Sequence, residues 1–89
     1  MRLLGIADIY NKEGYLLIKP HVGQVLKYVG AEVHDSMGRK IGRVIDVIGR
    51  TDDPRLVVKL NYRDIGEFLA NRKERVYFTL PWKARKARK

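Results

Sequence analysis

Eighty-nine residues, 45% of them hydrophobic, support a single core, which within these residues excludes a catalytic domain standing beside a binding domain. There is no cysteine, so disulfides and thiolate metal sites are excluded as well. The net charge of +9 is unevenly spread: Lys83 to Lys89 hold five cations and no acid, leaving fourteen cations against ten acids in the rest.

The apolar run from Met1 to Tyr10 is interrupted by Asp8 and is too short for a signal core or a membrane span. It predicts a first strand over Arg2 to Tyr10. Asn11 to Gly14 forms a turn whose Asn and Gly tolerate positive φ, and a second strand over Tyr15 to Lys19 ends at Pro20, which has no amide to give to a ladder. In His21 to Gly30, residues Val22, Val25, Leu26 and Val29 fall at helical spacing. Either a short helix closed by Gly30 or an ordered loop packing those side chains on the sheet satisfies the pattern. Val33 opens a strand, Asp35 to Gly38 turns it, and a longer strand runs from Ile41 to Ile48 before a stop at Gly49 to Pro54.

Leu56 to Asn61 alternates cleanly, with Leu56, Val58 and Leu60 on one face. Asp64-Ile65-Gly66-Glu67 has the form of a capping box and predicts one or two helical turns with an apolar stripe of Ile65, Phe68 and Leu69. Arg75 to Leu80 is the last strand, with Val76, Phe78 and Leu80 on one face. About six short strands would leave exposed edges in an open sheet, and closure removes them. The expected fold is therefore all-β: a small, six-stranded, mostly antiparallel barrel with one or two short helical turns. The barrel domain covers residues 1–82 and a basic tail covers 83–89. That tail, with Lys83, Arg85, Lys86, Arg88 and Lys89, is either a solvated run or a contact for nucleic acid phosphates.

The strand from Ile41 to Ile48 is overloaded. Strict alternation sends Ile41, Ile45 and Val47 one way and Val44 and Ile48 the other, so both faces are apolar. In so small a barrel one face covers the core, and the second is expected to meet another molecule. Chemistry for catalysis is thin by comparison. Ser36, the only serine, lies in a turn; His21 and His34 lack a third ligand at metal spacing; Asp52-Asp53 precedes Pro54 as a turn former. Gly38 and Gly42 have neither the spacing nor the lysine of a phosphate loop. No enzyme activity, cofactor or metal is expected. The aromatics are scattered and lack the paired platform of an RNA-recognition sheet, so core and rim packing is their expected role.

The pattern Val33-x-Asp35-x-x-Gly38-x-x-Ile41-Gly42-x-Val44-x-Asp46-Val47-x-Gly49, continuing to Pro54, resembles the GAR proteins of archaeal H/ACA ribonucleoproteins, particles that convert guide-selected uridines to pseudouridine. Arg50 stands where many relatives carry proline, and Ile48 where an aromatic is frequent. The resemblance implies a barrel of the translation-factor (reductase/isomerase/elongation factor) type, in the compact archaeal form without glycine-arginine arms and located in the cytoplasm. It implies a non-catalytic subunit, monomeric within a heteromeric particle. Such a subunit docks on the catalytic domain of a dyskerin-like pseudouridine synthase and holds a mobile loop of that enzyme open for substrate loading and product release. Guide RNA and target rRNA are then met only indirectly, and no membrane is involved. The two-faced strand fits this docking role independently: Val44 and Ile48, with Ile41 or Ile45 depending on register, are expected to supply the apolar centre of the contact and Asp46 and Arg50 its polar orientation, with Gly49 and Pro54 closing the segment. Two rivals remain: a PRC-type barrel adaptor of ribosome maturation, whose signature is similar, and a direct RNA-binding barrel, suggested by the pI near 10.

Overall fold

The computed structural model describes residues 2–62 and 64–79. Six strands, β1 (Arg2–Tyr10), β2 (Tyr15–Pro20), β3 (Glu32–His34), β4 (Lys40–Arg50), β5 (Asp53–Leu60) and β6 (Arg75–Thr79), close into an antiparallel barrel in the order β1-β2-β5-β4-β3-β6. One helix, α1 (Asp64–Asn71), lies between β5 and β6. The last strand residue foreseen from the sequence, Leu80, and the basic tail lie outside the described residues.

Alternation explains the core. Leu16 and Ile18 of β2, Leu56 and Val58 of β5, and Val76 and Phe78 of β6 occupy every second position and are buried together with Leu4, Ala7 and Val33. Each such aliphatic chain removed from water contributes roughly 1.5–3 kcal/mol, the main term offsetting chain entropy in a barrel of this size. Turn chemistry sets the connections. The Asn11 carboxamide oxygen accepts the amides of Glu13 and Tyr15. Asp35 accepts the Met37 and Arg39 amides, both at 2.9 Å, and the Arg39 guanidinium at 3.0 Å, while Gly38 adopts φ 87°. Burial pushes the Asp35 carboxyl up, but those two backbone amides and the guanidinium more than offset it, and the net shift is downward.

The segment after β2 is mostly loop. Only Val25–Tyr28 makes a 3-10 turn; Val22, Val25 and Tyr28 pack on the core, and Leu26 and Val29 face water. The full helical stripe drawn from the spacing is therefore not formed. Tyr28 meets Phe78 edge-on, with ring centroids 4.9 Å apart. Helix α1 covers one end of the barrel through Leu69 and Ala70, with Ile65 at the margin and Gly66 against the Tyr10 ring. Phe68 breaks the expected stripe and stays exposed. The helix ends in a Schellman arrangement, Glu74 N–H to Leu69 carbonyl and Lys73 N–H to Ala70 carbonyl, with Lys73 itself at φ 51° where glycine is usual.

Candidate docking face

Strand β4 does not keep strict alternation. Against β3, His34 pairs with Lys40 and Val33 with Gly42, so Ile41 is a surplus residue. Against β5, Val44 pairs with Val58 and Asp46 with Val57, so Ile45 is surplus too. Each bulge reverses the inside-outside frame. The result corrects the expected face: Ile41 and Val44 both lie in the core, at 2% and 1% exposure, while Ile45 and Ile48 are outside at 41% and 43%. Val47, assigned to the side of Ile45 by simple alternation, instead packs against the core. Ile41 and Val44 are thereby removed from the candidate contact set.

The stop foreseen at Gly49 to Pro54 is also different in form. Gly49 pairs with Pro54 and Arg50 with Asp53, so the ladder runs on to a tight turn at Thr51-Asp52. Gly49 has φ 95°, a conformation that a side chain strains. β2 follows β5 only as far as Leu56 and β3 follows β4 only as far as Arg43, so the outer half of this hairpin projects from the barrel. Along it Asp46, Ile48, Gly49 and Arg50 are exposed and Pro54 half-buried. The Asp46 carboxylate accepts the amide of Val47 at 2.8 Å, and Arg50 pairs with Asp52 at 3.3 Å.

Closure brings further apolar residues to the same exterior. Leu17 alternates with the core residues Leu16 and Ile18, and Val57 with Leu56 and Val58, so both face outward. Ile9 pairs with Leu17, Leu17 with Val57, and Val57 with Asp46 beside the Ile45 bulge. An aliphatic row thus crosses four strands. Val57 is only 9% exposed yet does not belong to the interior cluster, because its outer neighbours cover it. The members Ile9, Leu17 and Val57 were not apparent from the sequence; each looks like an ordinary strand residue until the strand order is known.

Charge frames this row. Arg55 contacts Asp8 at 3.1 Å and Asp53 at 2.7 Å, and the Lys73 ammonium donates to the Asp8 carboxylate at 3.1 Å and its backbone carbonyl at 2.8 Å. The Arg55 hydrogen bond, then that of Lys73, holds the Asp8 carboxyl below its usual range, and Asp53 and then Asp8 raise the Arg55 guanidinium. Arg43 and Lys59 stand opposite each other on β4 and β5, and among the described residues neither has an ion-pair partner. An aliphatic centre with a charged margin is the anatomy of a protein-protein contact.

Of the remaining polar candidates, His34, Asp52 and Asp53 have structural partners, while His21 and Ser36 are exposed. His34 sits between the Thr79 hydroxyl, 3.1 Å from Nε2, and the Gly38 carbonyl, 3.3 Å from Nδ1. Asp52 and Asp53 engage arginines, and Ser36 is exposed in its turn. No known family model matches the sequence, and no curated protein sequence matches it either.

Proposed function

We propose that this chain is a non-catalytic docking subunit, the GAR-type member of an archaeal H/ACA ribonucleoprotein, seated on the catalytic domain of the pseudouridine synthase. The observation that carries the docking half of the reading is the exterior aliphatic row from Ile9 through Leu17 and Val57 to Ile45 and Ile48. The Val33 to Pro54 pattern supplies the family half. Ile45 and Ile48 are the centre of the contact, Asp46 and Arg50 orient it, and the cations Arg43 and Lys59, without an ion-pair partner among the described residues, favour an acidic margin on the partner. A standard stable interface covers about 800 Å² per partner, so the contact would have to take in the charged margin and the projecting hairpin as well as the row.

The effect on the enzyme follows from differential binding. A subunit that binds the open position of a mobile loop more tightly than the closed one shifts the loop toward open, and product release becomes faster. Chemistry on an already loaded substrate is unaffected. The test combines titration calorimetry with pseudouridylation under multiple-turnover and single-turnover conditions. Added barrel is expected to raise the multiple-turnover rate and leave the single-turnover rate unchanged. No binding to the synthase, or binding without any change in turnover, refutes the proposal.

A further inference from the structure

A second surface shares no residue with the aliphatic row. A cleft of about 910 Å³ lies between the β3-β4 turn and α1, and its wall carries Tyr62 and Phe68 beside arginines 39, 72 and 75. Tyr62 is 62% and Phe68 53% exposed, too far out to serve the core. The Arg72 guanidinium lies 5.1 Å from the Phe68 ring centroid, stacking one planar cation on one aromatic face. Four cations against two acids line the space. Both acids are already engaged, Asp35 by Arg39 at 3.0 Å and Glu74 by Arg72 at 3.2 Å, each through the arginine Nε. The two arginine side chains remain 73% and 64% exposed.

We propose that, in contrast to the indirect RNA contact the resemblance implies, this cleft binds a single-stranded nucleic acid segment, stacking an unpaired base against Tyr62 or Phe68 while Arg39, Arg72 and Arg75 meet the flanking phosphates. Exposed rings set among cations are the elements of a sequence-tolerant single-strand site, since every base has a face to stack and every linkage a charge to neutralise. Of the aliphatic residues in its lining, Ile41 and Leu69 are buried, Ile65 is half-buried and Met37 alone is exposed, so the accessible wall is chiefly aromatic and cationic, whereas an apolar peptide would select the continuous aliphatic row of the strand face.

The test must separate base stacking from attraction of phosphate to the basic tail. Fluorescence anisotropy of the full chain would be measured with a labelled single-stranded RNA of about eight nucleotides and with its abasic counterpart of equal charge. The unmodified chain is expected to bind the base-bearing strand about tenfold more tightly. Tyr62→Ala with Phe68→Ala is expected to abolish that preference while leaving the abasic affinity unchanged. Both side chains are mostly exposed, and an unchanged circular dichroism melt would confirm that the variant is folded. Equal affinity of the unmodified chain for the two strands, the outcome if the cleft seats a protein segment, overturns the proposal. A preference that survives in the double variant overturns it as well.

Discussion

Val44→Asp and Ile48→Asp are equivalent changes under simple alternation, and the Ile45 bulge makes them opposite. Val44 is 1% exposed, belongs to the core, and uses both backbone groups, its N–H to the Ala31 carbonyl at 3.0 Å and its carbonyl to the Gly30 N–H at 2.8 Å. Replacing it forfeits roughly 1.5–3 kcal/mol of apolar burial. The new carboxyl must also be neutralised, at about 1.4 kcal/mol for each pH unit above its ordinary value, or be buried charged at greater cost. The loss is on the order of 5 kcal/mol or more, comparable with the whole stability of a domain this size. Ile48 is 43% exposed, so only about half of such a burial term is lost, roughly 1 kcal/mol, and the new carboxylate faces Arg55, its partner in register. Urea unfolding followed by circular dichroism would read the difference: Val44→Asp unfolded without denaturant, Ile48→Asp folded with a modestly lower midpoint. In titration against the synthase, the folded Ile48→Asp chain should bind with a Kd raised about thirtyfold, equivalent to roughly 2 kcal/mol. Similar unfolding midpoints for the two variants would refute the assigned frame of β4, and full synthase affinity in Ile48→Asp would refute the assigned face.

Two further outcomes test the barrel itself. A Cβ at Gly42 would run into the Lys59 backbone carbonyl, so Gly42→Ala should cost about 2–3 kcal/mol in a thermal melt, whereas Gly23→Ala, with nothing within 4 Å, should change little. Because the folded Asp8 carboxyl titrates below its unfolded value of 3.8, its contribution is present above that value and is lost as pH falls through the lowered one. Asp8→Asn should therefore be less stable at neutral pH and converge with the parent in strong acid; a gap constant across that range would exclude the Arg55 and Lys73 contacts as its cause.

Much of the barrel was legible locally. Asn11-Lys12-Glu13-Gly14, Pro20 and Asp35 to Gly38 mark strand ends by backbone chemistry, and the clean alternation of Leu56, Val58 and Leu60 names its inward face correctly. The box at Asp64 to Glu67 located α1, but its end was hidden because Lys73, rather than a glycine, takes the left-handed position. Gly42 marked a bend beside the surplus Ile41, but the surplus at Ile45 left no local mark, since it is a good strand former with no glycine next to it. The excess of apolar residues in that strand was visible; the assignment of each one to a face was not. Ile9, Leu17 and Val57 became neighbours only through the order β1-β2-β5-β4, a long-range property that no short window contains. Tyr62 and Phe68 lie close together in the sequence, before and within α1, but their shared cleft was hidden because its other wall comes from the distant β3-β4 turn.

The surplus residue at Ile45 also governs how this protein can change over generations. Beyond it, which residues are hidden is set by their pairing with β5, Asp46 on Val57 and Val47 on Leu56, and the bulge absorbs the extra residue. Point changes at Ile45, Asp46 or Ile48 can re-tune the outer surface one side chain at a time. Loss of the one surplus codon would restore plain alternation and leave Asp46 outward, Val47 inward and Ile48 outward opposite the same β5 residues, so this stretch should tolerate that single deletion far better than the regularly paired strands beside it would.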